Sequence, residues 1–374
     1  MDDFQDDACS LIPEYKRINV HKQIPEMLIY FNYINDTMTE SKAYFQFVIS
    51  CKTYWQHHDY IKNITYDRSA RQTRLKNNRN SRESCLFFLD SCYCMMQELF
   101  SMPYMIRVKV TNVLNLCCAP GGFAKALIEI FPDVQIQGVT LPSEFPGGMD
   151  CLFHHKQFDV IYHDVIRLAR ENIEDIIKIL GSCVLKLEWR RNSSLQHEPV
   201  YDFAILDGAF AGDNLDRGED EFRKLIITNM NLRFSEMLLA LLTLRQNGML
   251  ILRASTKIYN LITPFIWLVV EKQFESVDFF KPSLSSAKGM WSQGFVYIVC
   301  KRYKLCTKEA YNLAVYIQDI LFELDKNKFS FVESVFSAKR LRESFFPKMN
   351  LLWVEQHELF QKKYEELKSH ENSI

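Results

Sequence analysis

The hydrophobic positions between residues 84 and 302 follow two spacings that alternate along the chain. Short apolar runs, typical of buried strands, occur at residues 113–117, 134–139, 158–163, 203–206, 249–253, 276–280 and 295–301. Apolar residues recur at helical spacing at residues 84–99, 121–131, 169–180, 222–245 and 263–274. Apolar strands that alternate with helices predict a parallel sheet with helices on both faces.

The last two predicted strands differ from the others, because no helical segment separates residues 276–280 from residues 295–301. A connection without a helix predicts that the last strand runs antiparallel. The segments outside the alternation, including residues 311–324 and 354–368, read as helical. We therefore predict a helical extension at residues 1–83, an α/β domain at residues 84–304 and a helical extension at residues 305–374.

The overall composition indicates a folded protein without a global charge signal. Of 374 residues, 48% are hydrophobic, which is ample for a packed core, and 45 basic residues nearly balance 46 acidic ones. The acidic amino terminus does not resemble a signal peptide, and no apolar stretch is long enough to span a bilayer. We expect a soluble intracellular protein, cytoplasmic or nuclear, that makes no membrane contact.

Cysteine and histidine spacing gives no sign of a metal site. The chain has 11 cysteines but no pair separated by two residues, and its adjacent histidines lack a third ligand at a suitable distance. We therefore expect reduced cysteines that pack as small hydrophobic residues, and no metal.

The most informative segment is residues 115–124, where a predicted strand ends and two adjacent glycines begin a helix. Glycines at this point allow the backbone to approach a ligand, and the free N–H groups of a helix start can bind it. A nucleotide-like ligand is the favoured interpretation. The alternative is a tight strand-to-helix turn without any ligand.

Residues 119–123, with the sequence Ala-Pro-Gly-Gly-Phe, resemble the first motif of the FtsJ-like (RrmJ-type) ribose 2′-O-methyltransferases. The similarity continues in the same order at residues 158–164, 201–208, 247–253, 281–282 and 295–299. It covers the chain from about residue 84 to residue 302.

This resemblance implies a Rossmann-like class I methyltransferase fold with a mostly parallel seven-stranded sheet. It also implies S-adenosylmethionine as cofactor and the 2′-hydroxyl of an RNA ribose as methyl acceptor. The cofactor-binding residues that it implies are Asn115, Cys117, Ala119, Pro120, Gly121, Gly122, Phe123, Thr140, Leu141, Asp164, Val165 and Asp207. Asn115 stands where the family usually has an acidic residue.

The catalytic Lys-Asp-Lys-Glu set of the family is only partly kept. Asp207 matches the aspartate, Arg253 falls at the second lysine and Phe295 falls at the glutamate. One alignment places Phe88 at the first lysine, and Lys76 or Lys257 are alternative sources of a lysine. Arginine stays protonated, so Arg253 could orient the hydroxyl group and stabilise negative charge but could hardly act as a base.

Three interpretations of this set remain open. Asp207 and Arg253, with Lys257 as a further candidate, catalyse methyl transfer to RNA, or they form a structural ion pair in a catalytically silent relative that binds cofactor or RNA as a scaffold or accessory subunit. A non-RNA acceptor on the same fold is the third.

A basic segment precedes the predicted domain and is the candidate for RNA binding. Arginine, lysine and asparagine suit phosphate and base contacts, and such binding weakens steeply as salt is added. A solvated helix face or loop is the alternative interpretation. The candidate residues are Arg68, Arg71, Arg74, Lys76, Arg79 and Arg82.

Overall fold

This computed structural model describes residues 81–105, 108–181, 199–208, 219–255, 262–283, 295–326, 328–329, 335 and 337–371, with the single residues Ala43, Gln46 and Ser50. The chain divides into two compact units. One comprises Met1–Asn77 and Val332–Ile374, and the other comprises Asn78–Phe331.

The larger unit contains a sheet of seven strands in its described part. In chain order these are β1 (Asn112–Leu116), β2 (Gln135–Thr140), β3 (Phe158–Tyr162), β4 (Tyr201–Leu206), β5 (Leu244–Ser255), β6 (Phe274–Phe280) and β7 (Phe295–Tyr303). The spatial order is β3-β2-β1-β4-β5-β7-β6. Strands β3, β2, β1, β4 and β5 pair in parallel, whereas β7 is antiparallel to both β5 and β6. The predicted fold class is confirmed, including the antiparallel last strand.

Helices cover both faces of this sheet. They are α1 (Arg82–Ser101), α2 (Gly122–Ile130), α3 (Val165–Leu168), α4 (Ile173–Gly181), α5 (Glu219–Thr243), α6 (Ile262–Gln273) and α7 (Thr307–Asp325). On one face, Phe100 of α1 packs edge-to-face on Phe203 of β4. On the other face, Trp267 of α6 packs on Phe279 of β6. The strands therefore need apolar side chains on both faces, as their sequence predicts.

The helix predicted at residues 169–180 is present as α4 but begins four residues later than predicted, at Ile173, and the separate short helix α3 precedes it. Asp164 caps α3 by accepting a hydrogen bond from the Ile166 N–H at 2.8 Å. Asn172 then accepts from the Glu174 N–H at 2.9 Å as α4 begins. Short polar side chains that bind nearby backbone groups start new helices in this way.

Helix α7 belongs to the larger unit, so this unit continues beyond the predicted boundary at residue 304. Arg170, which follows α3, forms an ion pair with Asp325 at 2.6 Å. The Gln318 side chain donates hydrogen bonds to the carbonyl oxygens of Ala169 and Glu171, at 3.1 and 2.8 Å. These contacts hold α7 to the α3–α4 connection, and sequence periodicity carries no information about them.

The described part of the smaller unit is mainly one helical segment. It consists of α8 (Ala338–Arg340), a π-helical turn at Leu341–Phe345 and α9 (Phe346–Glu371). The helix predicted at residues 354–368 lies within α9. Among the described helices of the chain, none is long and apolar enough to cross a bilayer.

Asp202 fixes the edge of the sheet opposite to the predicted site. It accepts hydrogen bonds from the backbone N–H groups of Thr111 and Asn112, at 2.8 and 3.0 Å, and pairs with Arg245 at 2.8 Å. One carboxylate at the start of β4 thereby holds the starts of β1 and β5, which fixes the register of the three central strands.

Candidate active site

The predicted site lies where β1 and β4 end. These strands are parallel, with Leu116 in register with Leu206, so both end at the same edge of the sheet. The N–H of Asp207 lies 3.5 Å from the Leu116 carbonyl oxygen. The glycine turn after β1 and Asp207 after β4 are therefore adjacent. Ligands of open α/β sheets bind at this edge.

The glycine turn is shaped by packing as well as by any ligand. Gly121 has φ +104° and precedes α2, whose first turn has no side-chain cap. A Cβ on Gly121 would lie 2.7 Å from the Cβ of Phe153. A Cβ on Gly122 would overlap the Leu89 carbonyl oxygen of α1. Both glycines are thus required by neighbouring protein atoms, a reason that the sequence interpretation did not include.

Residues 151–153, after β2, close over this turn. The N–H groups of Leu152 and Phe153 donate to the Pro120 carbonyl oxygen, at 3.0 and 3.3 Å. The Phe153 ring stacks on Phe158 of β3, with ring centroids 6.1 Å apart. The connection after β2 therefore supplies part of the wall of the site, although nothing in its sequence pattern indicates this.

Asn115 is a buried polar side chain without a hydrogen-bond partner. It is 0% exposed, and both Nδ2 and Oδ1 are unpaired. Its register partner on β4 is Ile205, two residues before Asp207, so Asn115 and Asp207 belong to the same face of the sheet. A buried amide with no partner is costly, which makes it a candidate for contact with a polar ligand.

Asp207 is held by groups from two other strands. The Tyr297 hydroxyl of β7 donates to Oδ1 at 2.7 Å, and Nη1 of Arg253 lies 3.7 Å from the same oxygen. The side chains of Asp207 and Arg253 are only 13% and 19% exposed. Burial raises the pKa of Asp207, while Arg253, the Tyr297 hydrogen bond and Arg233 oppose this rise. The result is a desolvated carboxylate with a fixed direction.

Phe295, which the sequence analysis aligns with the family glutamate, contacts two cations. The Arg253 guanidinium lies 4.7 Å from the ring centroid, and the Lys281 ammonium lies 4.8 Å from it. Lys281 also donates to the Phe295 carbonyl oxygen at 2.5 Å. Besides Asp207, Arg253 thus contacts the Phe295 ring through a cation–π interaction.

Helix α1 brings uncharged side chains towards Asp207. Burial and the charge of Asp207 raise the pKa of the Cys92 thiol, whereas Arg253 opposes this rise. Phe88, which one alignment places at the first family lysine, is half-buried and lies one turn before Cys92. Two described cations act on Asp207, and Arg253 opposes the rise of its pKa more strongly than Arg233 does.

Other predicted residues are placed as follows. Thr140 is buried at the end of β2, and Leu141 follows it half-buried. Asp164 uses Oδ1 to cap α3 and has Oδ2 3.9 Å from Arg167, and the buried Val165 begins that helix. Arg82 is exposed at the start of α1. Outside the described residues lie Lys257, Arg68, Arg71, Arg74, Lys76 and Arg79.

Three polar residues of the site were missed by the sequence analysis. Tyr297 was recognised only as part of a strand, although its hydroxyl contacts Asp207. Arg233 and Glu236 of α5 contact Gly208, the residue after Asp207. A signal for this pair exists, because residues 225–243 of this helix contain no charges other than these two, which are three residues apart.

Comparison with known proteins shows the family of the chain. The model of the FtsJ-like methyltransferase family matches residues 95–303, more than half of the chain. A solved ribosomal RNA methyltransferase, putative, from Plasmodium falciparum has 16% identity over 56% of this chain and 94% of its own, with a TM-score of 0.38. A solved O-methyltransferase family protein from Burkholderia thailandensis has 11% identity over 70% of this chain and 72% of its own, with a TM-score of 0.34. No curated protein sequence matches the chain significantly.

The strand order and the glycine turn at the end of β1 define a class I methyltransferase fold. Within that class, the chain belongs to the FtsJ-like methyltransferase family. The cofactor is accordingly S-adenosylmethionine. The site suits it, because the unpaired Asn115 amide and the uncapped start of α2 offer polar groups for its charged methionine end.

The buried carboxyl groups of this site predict an unusual pH dependence of stability. Burial raises the pKa of Glu236, so the folded protein binds more protons than the unfolded chain from about pH 4 up to that raised pKa. The free energy of unfolding contributed by Glu236 therefore falls as the pH rises through this window. We expect the slope of melting temperature against pH in this window to be more positive for Glu236→Gln than for the wild type, because the variant lacks this falling contribution. Equal slopes in a thermal melt series would contradict this.

Proposed function

We propose that this protein transfers a methyl group from S-adenosylmethionine to a ribose 2′-hydroxyl of RNA. The observation that carries the proposal is the buried Asp207 carboxylate. It is held by Tyr297 and Arg253 beside the glycine turn, in a member of the FtsJ-like family. Methyl transfer requires that the acceptor oxygen, the methyl carbon and the sulfur be aligned. A fixed, desolvated charge beside the cofactor-binding turn can hold the acceptor in that alignment.

The chemistry assigns separate tasks to Asp207 and Arg253. The bound cofactor supplies an electrophilic methyl group on a sulfonium. In the transfer an oxygen–carbon bond forms, a sulfur–carbon bond breaks and the hydroxyl group loses its proton. Asp207 orients that hydroxyl and accepts its hydrogen bond, and its raised pKa brings it closer to accepting the proton. Arg253, which stays protonated, stabilises negative charge on the attacking oxygen.

RNA is proposed as the acceptor on the basis of family membership and of local positive charge. The formal net charge of the chain is −1, so an RNA strand must be held by a local cluster. The candidates are the basic segment that ends at Arg82, together with Arg253 and Lys281 beside Phe295. A ribose-specific enzyme would bind RNA through phosphate contacts that weaken as salt is added.

In a second candidate function, the protein is a catalytically silent relative of the family. It would bind cofactor or RNA and act as a scaffold or accessory subunit. The observation that favours it is the Phe295 ring, which takes the place of the family glutamate and contacts Arg253 at 4.7 Å. Phe88 and Cys92 on α1 likewise offer no charge to Asp207. In this case Asp207 and Arg253 form an ion pair that only stabilises the ends of β4 and β5.

The test begins with calorimetric titration of S-adenosylmethionine and its demethylated product into the wild type and Asn115→Leu. Leucine has nearly the shape of asparagine and removes two unpaired buried polar atoms, so the variant is expected to fold at least as stably. We expect its cofactor affinity to fall by about 10-fold or more, since each lost factor of ten corresponds to about 1.4 kcal/mol. A glycine variant would be a poor control, because Gly121 and Gly122 are needed for packing.

Methyl transfer is then measured with labelled cofactor on a pool of RNA that was transcribed in vitro and carries no methyl groups. A methylated 2′-hydroxyl cannot attack the neighbouring phosphodiester, so the label should appear in alkali-resistant dinucleotides. Label in alkali-sensitive nucleotides would contradict the ribose assignment. Saturable cofactor binding without transfer would favour the silent relative. Failure of the folded wild type to bind either ligand would overturn the catalytic proposal.

A further inference from the structure

A buried ion pair on α5 lies beneath Asp207 and has no part in the chemistry described above. Glu236 is 0% exposed, and Arg233 donates to it at 2.8 Å. Both residues also bind the backbone of Gly208. The Gly208 N–H donates to Glu236 at 2.7 Å, and Arg233 donates to the Gly208 carbonyl oxygen at 2.6 Å. Both backbone polar groups of the residue after Asp207 are thus fixed by one pair of side chains.

The fit around Gly208 is close. A Cβ at this position would lie 2.7 Å from Oε1 of Glu236, so only glycine allows the carboxylate to approach the backbone in this way. Glu236 also acts on the end of β1, where burial and the charge of Glu236 raise the pKa of the Cys117 thiol. Cys117 has φ +57°, a left-handed conformation that is uncommon for residues other than glycine. One carboxylate therefore binds the backbone just after β4 and acts electrostatically on the residue after β1.

Stability alone is a weak explanation for such a pair. Removing two charges from water is costly, and buried ion pairs often contribute little compared with apolar residues of similar size. A better-attested effect of buried ion pairs is to specify one conformation among several that the chain could adopt. Here the arrangement that the pair specifies is the backbone of Gly208, which determines where the neighbouring Asp207 side chain points.

We propose that Glu236 and Arg233 are positioning residues that direct the Asp207 carboxylate towards Tyr297 and Arg253. The inference rests on the proposed function, in which Asp207 is a catalytic residue. The inference concerns the direction of the Asp207 carboxylate, and it can be tested without any methyl acceptor.

The test is a double-mutant cycle on the melting temperature of the full chain. Tyr297→Phe removes the hydroxyl that donates to Asp207, and we expect it to lower the melting temperature by about 2–4 °C in the wild type. In the Glu236→Gln background the same change is expected to have little effect, because Asp207 no longer points at Tyr297. The coupling should disappear when Asp207→Ala is present in both backgrounds, since Asp207 transmits it.

The control uses Met237→Ala, a buried apolar change next to Glu236 on the same helix. It should destabilise the protein and leave the effect of Tyr297→Phe unchanged. If Glu236→Gln does not fold, Arg233→Ala takes its place, and Arg233→Lys, which keeps the charge and a donor, is expected to restore most of the effect of Tyr297→Phe.

Additive effects of Glu236→Gln and Tyr297→Phe would overturn the inference, as would equal coupling in the Met237→Ala background. Because the cycle needs only folded protein, its result is independent of whether methyl transfer is ever observed. Coupling between Glu236→Gln and Tyr297→Phe together with absent transfer would leave the positioning role intact and contradict only the catalytic proposal.

Discussion

Replacement of Asp207 by asparagine is expected to reduce methyl transfer to RNA by about 10²–10³-fold, the usual effect of removing one fixed electrostatic group from an active site. Asparagine has the shape of aspartate and can still accept the Tyr297 hydrogen bond, so the local packing is kept. It lacks the charge that faces Arg253 at 3.7 Å and the ability to accept the hydroxyl proton. The loss should therefore appear mainly in the rate of transfer at saturating cofactor.

The matched control is Asp133→Asn, an exposed aspartate before β2, at the opposite edge of the sheet. It makes the same chemical change far from the site and should leave the rate unchanged. Single-turnover transfer to transcribed RNA, with cofactor affinity measured by calorimetry, separates the two contributions. An Asp207→Asn rate within a factor of two of the wild type would exclude Asp207 from catalysis and favour the structural ion pair.

Gly122→Ala is expected to lower the free energy of unfolding by about 1–3 kcal/mol, the usual cost of inserting a methyl group into a filled space. The sign of this change in the free energy of unfolding is informative, because replacing glycine by alanine within a helix ordinarily stabilises the helix by about 0.5–1 kcal/mol. Here the new Cβ would overlap the carbonyl oxygen of Leu89. That atom belongs to the backbone of α1, so α1 and α2 would have to separate.

Gly147→Ala provides the comparison for this prediction. Its added Cβ meets nothing within 4 Å, and its φ of +89° makes the cost purely one of backbone conformation. Urea unfolding of both variants measures the difference, and an unchanged denaturant slope would confirm that the unfolded state is not responsible. Stabilisation by Gly122→Ala would mean that α1 does not contact α2 as described.

The strand pattern and the order of the motifs were readable from the sequence because both depend on neighbouring residues. Apolar runs identified six of the seven strands to within two residues of their bounds, whereas β5 begins at Leu244, five residues before the predicted run at 249–253. The missing helix before residue 295 correctly predicted an antiparallel β7. The position of Asp207 at the end of β4 was also readable, since it directly follows a run of buried residues. The start of α4 at Ile173, four residues later than predicted, was not readable, because capping by Asp164 and Asn172 competes with apolar spacing.

The arrangement within the site could not be read in the same way. The contact between Asp207 and Tyr297 joins residues 90 positions apart, and that between Gly208 and Glu236 joins residues 28 apart. The antiparallel pairing of β5 with β7 places Arg253 opposite Tyr297. This pairing decides that Arg253 contacts the Phe295 ring as well as Asp207.

The sequence by itself determined the class of fold, the turn that begins α2 and the residue types available at the edge of the sheet. These follow from local periodicity and from short motifs, which act over a few residues of the chain. Only the tertiary structure decided that Phe153 and the Leu89 carbonyl fill the space beside the two glycines, that Asn115 is left without a partner and that Glu236 fixes Gly208. The physical reason is that close packing and the pairing of buried polar groups depend on which distant segments meet, and this is settled only when the whole sheet is assembled.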